Sequence, residues 1–231
     1  MAVVRVATYN IRSLRDDQAA VVRVIQALKA DVLCIQEAPR FLFWRRRCRW
    51  LARESGLKII GGGRSAAANL LLAVPDVHVN QARDVLFTKD FGLHQRGVAM
   101  ADVTARGARF VIAGTHLDGV EEPRLRHIDE LHRALDAFAP PNVPALVAGD
   151  INDQPGSVAW DRLTKRGIDA AAVQSIGDSM TNQPRTPTRR IDAIFAGAGF
   201  IVRTTEAVDS PDVNAASDHR PLVAELELQE M

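Results

Sequence analysis

The amino-acid sequence predicts an α/β fold. Short apolar runs of strand length alternate with longer segments in which apolar residues recur every three or four positions. Several of the runs are apolar throughout, which is typical of strands that are buried on both faces. A chain of 231 residues has the length of one large α/β domain. We therefore expect residues 1–231 to form a single domain.

Nine apolar runs predict strands, because each has strand length and is bordered by turn-forming residues. They cover residues 3–11, 31–37, 57–62, 69–74, 97–104, 109–117, 143–150, 191–197 and 221–228. Helical spacing of apolar residues predicts helices within 21–28 and 125–138, and a third helix from about Ser157 to Arg166. Residues 175–190 are rich in Ser, Thr, Pro and Gly, and they predict a long loop.

The composition narrows the class of protein. Hydrophobic residues make up 47% of the chain, and no run approaches the roughly 20 apolar residues that cross a bilayer. The net charge of +1 carries no sign of a strongly basic domain. Cys34 and Cys48 lack metal-type spacing, and no export signal is visible at the N-terminus. We expect a cytoplasmic monomer that does not insert into membranes.

Polar side chains stand repeatedly where an apolar run ends or is about to begin. They are Asn10, Glu37, His116, Asp150, Asn152, Asp218 and His219. Each of them alone fits a turn-forming or structural role. Gathered on one side of the fold, however, carboxylates repel each other and need a cation. Oxygen ligands favour a hard ion, Mg²⁺ above all and Mn²⁺ next.

Asp150 and Asn152 follow one apolar run and are two residues apart. Side chains two apart in a strand point to the same side, so these two could reach one target together.

Six short motifs follow one another along nearly the whole chain. They are TYNIR (8–12), IQE (35–37), GTHLD (114–118), GDIND (149–153), RRIDAIF (189–195) and SDHRPL (217–222). In this order they resemble the motifs of the endonuclease/exonuclease/phosphatase superfamily, which has the deoxyribonuclease-I-like fold. The resemblance implies a four-layer α/β sandwich, in which two mixed β-sheets pack face to face with helices outside. It also implies a metal-dependent phosphoesterase site at one edge of the sandwich.

The resemblance implies roles for the acidic and amide residues. Glu37 is similar to the principal metal ligand of the family, with Asn10 beside it and Asp218 sharing ion or water contacts. Asp150 is similar to the carboxylate that orients or deprotonates the attacking water. Asn152 is similar to an amide that donates to a phosphate oxygen.

The resemblance also implies roles for two histidines and their partners. His219 is the candidate acid, base or phosphate contact, and Asp192 is similar to the carboxylate that pairs with it. His116 is similar to a histidine that protonates the leaving oxygen in the branch with deoxyribonuclease I and bacterial sphingomyelinases. Arg96 lies where many members carry an arginine that faces phosphate, although a surface ion pair remains an alternative.

Four histidines match no motif, and two of them lie in the predicted helix 125–138. These two, His127 and His132, are expected on its solvated side. The segment FWRRRCRW (43–50) places Trp44 and Cys48 on one helical side and arginines on another. Such a charge run is typical of a solvated helix face, but basic side chains beside aromatic ones could also follow a polyanion.

The sequence therefore predicts a Mg²⁺-dependent phosphodiesterase, with a nuclease acting on DNA or RNA as the leading case. One alternative is a phosphoesterase that acts on a small molecule or a lipid. The neutral overall charge, the lack of an apolar hairpin and the expectation of few exposed aromatic residues argue against a lipid. The other alternative is a catalytically inactive binding module, but none of the six motifs has lost a ligand.

Overall fold

The computed structural model describes residues 2–229, which form two six-stranded sheets and six α-helices. The strands are β1 (Ala2–Asn10), β2 (Val32–Gln36), β3 (Lys58–Gly63), β4 (Asn69–Ala73), β5 (His78–Leu86), β6 (Gly97–Ala105), β7 (Ala108–His116), β8 (Ala145–Asp150), β9 (Ile168–Asp169), β10 (Asp192–Ala196), β11 (Phe200–Ala207) and β12 (Leu222–Leu228). The helices are α1 (Gln18–Leu28), α2 (Trp44–Glu54), α3 (Glu121–Asp136), α4 (Val158–Thr164), α5 (Ala170–Val173) and α6 (Pro211–Ala216).

Both sheets are mixed. The first has the strand order β11-β12-β1-β2-β4-β3, and the second has the order β5-β6-β7-β8-β10-β9. In the first sheet β1 and β2 run parallel, as β7 and β8 do in the second, and the other neighbours are antiparallel. Because these pairs are parallel, the C-terminal ends of β1 and β2 lie together in the first sheet, and those of β7 and β8 lie together in the second. The predicted polar site residues stand at these strand ends.

The chain is arranged in four layers. Apolar side chains of both sheets, such as Val6, Cys34 and Ile112, form the core between the sheets. Helices α1, α2 and α6 cover the outer face of the first sheet, and α3 and α4 cover the outer face of the second. This arrangement confirms the predicted four-layer α/β sandwich.

All nine predicted strands are present, with ends that differ from the prediction by two residues or fewer. Three strands were not predicted, namely β5, β9 and β11. Strands β5 and β11 each form an edge of a sheet, and β5 is solvent-exposed along much of its length. An edge strand that faces water needs no apolar run, so the hydrophobic pattern could not reveal it.

The three predicted helices and the long loop are also confirmed. Helix α1 begins after Asp17, whose side chain accepts hydrogen bonds from the amides of Ala19 and Ala20. Helix α4 begins after Ser157 in the same way. Residues 175–190 contain neither a helix nor a strand, apart from isolated bridges at Ile176 and Asn182. Among residues 2–229, no helix is both long and apolar enough to cross a membrane.

Two expectations about exposure are wrong. His127 is buried under the second sheet, where its ring stacks on Phe87 and its Nε2 lies 2.9 Å from the Thr88 carbonyl oxygen. His132 is half-buried. The aromatic side chains of Phe41, Phe43 and Phe91 are exposed, and the sequence had suggested few of these. A loop tip carries no periodicity, so its exposure cannot be deduced from the pattern.

Gly149 occupies a close contact between the two parallel strands of the second sheet. A Cβ atom at this position would lie 1.9 Å from the Thr115 carbonyl oxygen, which is backbone and cannot move aside alone. Glycine therefore allows β8 to lie against β7 directly before Asp150.

Gly149→Ala should lower the free energy of unfolding by about 1–3 kcal/mol, because the added methyl group forces the two strands apart. Urea denaturation followed by circular dichroism measures this change. Gly119→Ala is the control, since a Cβ there meets nothing within 4 Å. Equal unfolding midpoints for the two variants would show that the contact does not constrain the strand.

Candidate active site

Three site residues lie side by side across neighbouring strands of the second sheet. His116 at the end of β7 is in register with Asp150 at the end of β8. Asp150 is in turn in register with Asp192 at the start of β10. All three side chains are buried, and the strand pairing fixes their spacing. The apolar run 143–150 thus forms the strand that places Asp150 between His116 and Asp192.

The first sheet supplies two further residues from the facing edge. Asn10 ends β1, and its Nδ2 lies 3.0 Å from Asp150 Oδ2 and 3.2 Å from Glu37 Oε1. Glu37 follows β2 directly, with a left-handed backbone at φ 51°. The Asn10 side-chain oxygen accepts the Arg12 amide at 3.0 Å, which fixes the orientation of the Asn10 amide group. One neutral NH₂ group therefore bridges two carboxylates.

His219 completes the cluster, and it is held as an imidazolium. Its Nδ1 lies 2.8 Å from Asp192 Oδ2, and its Nε2 lies 3.7 Å from Asp150 Oδ2. Burial alone would lower the pKa of His219, but the charges of Asp192, Asp150 and Asp218 and the hydrogen bond to Asp192 outweigh it. The pKa rises from 6.5 to about 10.

The loop 175–190 holds this pair in place. The Thr181 hydroxyl oxygen accepts hydrogen bonds from the amides of Ile191 and Asp192, at 3.0 and 3.1 Å. The neighbouring Asn182 forms an isolated β-bridge with His219. The predicted loop thus contacts both the Asp192 strand and His219 through its backbone and the Thr181 hydroxyl.

His116 has the opposite charge state. Burial, together with the charges of Arg96, His219 and Arg40, outweighs Asp150 and lowers the pKa of His116 to about 3. The Asn152 Nδ2 lies 3.0 Å from the Leu117 carbonyl oxygen and 2.9 Å from His116 Nε2. Since Nδ2 is a donor, Nε2 must accept, and the proton of the neutral ring is on Nδ1.

The structure places the remaining predicted residues at the border of the cluster. Asp218 is half-exposed and pairs with Arg12, with 3.3 Å between its Oδ2 and the Arg12 Nε. Arg96 is nearly buried and lies 3.5 Å from Asp118 Oδ2. Arg96 therefore forms an ion pair, although not a surface one, and it also lines the cavity beside His116, so contact with phosphate stays a prediction.

The charges of the site fit a divalent cation. Asp150, Asp192 and His219 can bring three ligand atoms within 4.8 Å of one another. His219 as an imidazolium already balances Asp192 and is no metal ligand in that state. Glu37 and Asp150, by contrast, share only an uncharged amide, and the buried Asp192 Oδ1 has no hydrogen-bond partner among residues 2–229. The position between Glu37 and Asp150 therefore fits the cation best.

A cavity of about 470 Å³ opens beside the cluster. Arg15, Arg40 and His94 line it together with Arg96, and sequence reasoning missed the first three. Arg15 and Arg40 come shortly after the strand-end residues Asn10 and Glu37. A basic residue a few positions after a strand-end site residue was the signal that could have identified them. No sequence signal marked His94.

The sequence model of the endonuclease/exonuclease/phosphatase family matches residues 7–219. The chain belongs to this family. Its members are phosphoric ester hydrolases, and this chain is such a hydrolase. No curated protein matches the chain with significant sequence similarity.

Solved structures of this family share the fold over the full length. The endonuclease/exonuclease/phosphatase from Bacteroides vulgatus has a TM-score of 0.82 at 25% identity, covering 99% of this chain and 100% of that chain. A mannosyl-6-phosphatase from Bacteroides thetaiotaomicron has a TM-score of 0.81 at 18% identity, covering 97% and 100%. Sphingomyelinase C from Streptomyces griseocarneus has a TM-score of 0.74 at 18% identity, covering 97% and 99%. At 18% identity, the last two show the fold alone.

His219 should remain protonated through neutral pH in the metal-free protein, and its pKa should fall in Asp192→Asn. Because the folded-state pKa lies above 6.5, the ion pair stabilises the native state fully below pH 6.5. That contribution is lost as the pH rises towards 10. Nitrogen-15 NMR of the imidazoles in chelator measures the titration, and His219→Gln assigns the resonance. Deprotonation of wild-type His219 near pH 6.5 would contradict the ion pair.

Proposed function

We propose that this hydrolase is a divalent-metal-dependent phosphodiesterase that cleaves a nucleic acid, with Mg²⁺ as the ion and Mn²⁺ as a substitute. Glu37 and Asp150 would hold the ion in this proposal, and Asp218 would contribute through water. Asn10 directs its NH₂ group at both carboxylates, so it can bind the ion only after its amide turns to present Oδ1. The catalytic residues are His116, Asp150, Asn152, Asp192 and His219, and Arg96 binds the substrate together with Asn152.

The environment of Asp150 Oδ2 carries the proposal. Asn10 Nδ2, His116 Nε2 and His219 Nε2 lie 3.0, 3.4 and 3.7 Å from this one oxygen. Asp150 Oδ1 does accept the Asn152 amide at 3.0 Å, as in a turn, but an aspartate with that role alone would face solvent. This side chain is buried, and its Oδ2 is reached from both sheets. Its surroundings suit a carboxylate that acts on a reactant at the cavity floor.

The cation, when bound, would act as a Lewis acid that withdraws charge from a phosphate oxygen. Asp150 orients the attacking water and accepts its proton. Asp192 holds the His219 ring, so that the imidazolium faces the developing charge on the phosphoryl oxygens. His219 carries the proton that a leaving oxygen needs, because the neutral His116 has no proton on its Nε2.

Arg96 and Asn152 bind the substrate in this proposal. The Arg96 guanidinium adds positive charge at the cavity wall and stays oriented by Asp118. Both amide hydrogens of Asn152 are already engaged, by Leu117 and His116. Donation to a phosphate oxygen therefore takes the hydrogen now given to His116, which links substrate binding to the state of that ring.

The arginines around the cavity favour a polyanionic substrate. Arg15 and Arg40 line it in addition to Arg96, and neither of them pairs with a carboxylate within residues 2–229. A single phosphate engages one or two guanidinium groups, whereas a nucleic-acid strand brings successive phosphates. The family itself leaves the substrate open, since its similar structures include a sugar phosphatase and a sphingomyelinase.

A substrate panel tests the proposal. The purified chain with Mg²⁺ is compared on single-stranded DNA, RNA, intact duplex, abasic duplex, mannose 6-phosphate, sphingomyelin and a bis-aryl phosphodiester. Cleavage of a nucleic acid at the highest kcat/KM supports the proposal. Turnover of the sugar phosphate or the lipid alone would assign the site to that substrate instead.

Mg²⁺ and Mn²⁺ should raise the melting temperature of the wild-type protein, because an ion that binds between repelling carboxylates stabilises the native state. Saturation at about 100 times Kd adds about 2.7 kcal/mol. Glu37→Gln should lose most of this shift as well as activity. Glu122→Gln, at an exposed position in the first turn of α3, is the matched control and should keep both. Full activity of the wild type in EDTA would refute a metal requirement.

His219→Gln should lower kcat by about 10²–10⁴-fold, because it removes the proton-holding group at the site. Asp192→Asn should lower it less, since the ring remains but is less firmly protonated. Stopped assays on the bis-aryl phosphodiester measure both, and circular dichroism confirms folding. Wild-type turnover by both folded variants would mean that the pair plays no catalytic part.

A further inference from the structure

One surface beside the cavity combines exposed aromatic residues with arginines. It comprises the loop 40–43, the first turns of α2 and Arg64, and is called the Arg–Phe surface below. Phe41, Leu42 and Phe43 are 73%, 78% and 69% exposed. Soluble proteins seldom leave three consecutive large apolar side chains in water, so this tip is suited to contact with a partner.

The arginines of this surface lack carboxylate partners within the chain. They are Arg40, Arg45, Arg46, Arg47, Arg49 and Arg64, and none of them is ion-paired within the part of the chain described, residues 2–229. Fourteen of the other arginines do form ion pairs. The near-neutral chain therefore concentrates uncompensated positive charge here, which favours an anionic partner.

The surface continues into the active site. A groove of about 610 Å³ runs between Phe41–Trp44 and Leu86, with Arg40, Arg64 and Gln95 at its edges. Arg40, Phe41 and Ala67 line both this groove and the catalytic cavity. A polymeric substrate whose scissile phosphate lies at Asp150 can therefore continue from the cavity into the groove.

The pairing of rings and cations distinguishes between polyanionic partners. Arg40 lies over the Phe41 ring at 5.3 Å, and Arg45 lies over Trp44 at 4.4 Å. Insertion of this tip into a bilayer would carry those guanidinium groups towards hydrocarbon, at a large desolvation cost. A nucleic-acid strand, in contrast, offers a phosphate to each guanidinium and a base to the free face of each ring.

We propose that the Arg–Phe surface binds single-stranded nucleic acid next to the scissile phosphate. Unstacked bases lie on Phe41 and Phe43, and phosphates contact Arg40, Arg64 and the arginines of α2. A duplex fits less well, because its bases are stacked on each other and present no free faces to the rings. The inference rests on the proposed function and names the form of the substrate.

Binding is measured by fluorescence anisotropy with the full chain in EDTA, where cleavage is suppressed. The probes are labelled thymidine and uridine oligomers of about 12 nucleotides and a duplex of equal length. Vesicles of neutral and anionic phospholipid are tested in parallel by co-sedimentation. We expect the single strands to bind more tightly than the duplex, and neither kind of vesicle to bind.

Two variants of the surface are compared with the wild type. Phe41→Ala with Phe43→Ala removes both stacking rings, and should raise Kd for the single strand about 10-fold or more. Arg45→Gln with Arg64→Gln should raise Kd and reduce the slope of log K against log salt by about 1.4, as expected for two phosphate contacts, because Arg64 lines the groove and Arg45 lies over Trp44. Arg133→Gln with Lys165→Gln is the control, since these residues belong to α3 and the end of α4, on the outer face of the second sheet. It should change neither Kd nor the salt dependence.

The outcomes separate this inference from the proposed function. If the wild type cleaves nucleic acid but the surface variants bind like the wild type, the Arg–Phe surface is not the binding site and the proposed function stands. Tighter binding to duplex, or to anionic vesicles, would also overturn the inference. If the wild type hydrolyses the bis-aryl phosphodiester but neither binds nor cleaves any nucleic acid, both proposals fail together.

Discussion

The site depends on one buried carboxylate oxygen, Asp150 Oδ2. Nitrogen atoms of Asn10, His116 and His219 surround it, and they reach it from both sheets. A buried carboxylate is costly unless donors or cations compensate it. The compensation here requires that β8 and β10 stay in register and that the end of β1 faces them. The geometry of the site therefore depends on the face-to-face packing of the two sheets.

The same oxygen separates the roles of the two imidazoles. His219 lies between Asp150 and Asp192 and holds a proton, whereas His116 is enclosed beside Arg96 and accepts a hydrogen bond from Asn152. The pKa values of two histidines in one cavity are thereby shifted in opposite directions, so that one can act as an acid and the other as a hydrogen-bond acceptor. Glu37 has no cationic partner among residues 2–229, and the proposed metal ion would supply positive charge between it and Asp150.

The sequence predicted most of the buried strands, and it missed exposed elements as well as the burial of His127. Apolar runs identified the central strands, because burial imposes periodicity on a chain. The polar residues at the strand ends pointed to His116 and Asp150, whereas Asp192 was named only from the family resemblance, and the register that aligns the three required the structure. Edge strand β5 and the tip at Phe41–Phe43 face water, so no pattern marked them. The pairing of Asp218 with Arg12 is a choice among rotamers of exposed side chains, which a motif does not specify.

Asp150→Asn tests the central role of Asp150 most directly, because it keeps the shape of the side chain and removes its charge. We expect a folded protein with an unchanged circular dichroism spectrum, whose kcat on a bis-aryl phosphodiester with saturating Mg²⁺ falls by about 10³-fold. The Asn side chain can neither accept the proton of the water nor compensate a cation. A kcat within 10-fold of the wild-type value, which corresponds to a loss of less than about 1.4 kcal/mol of transition-state stabilisation, would show that Asp150 is not the central catalytic residue.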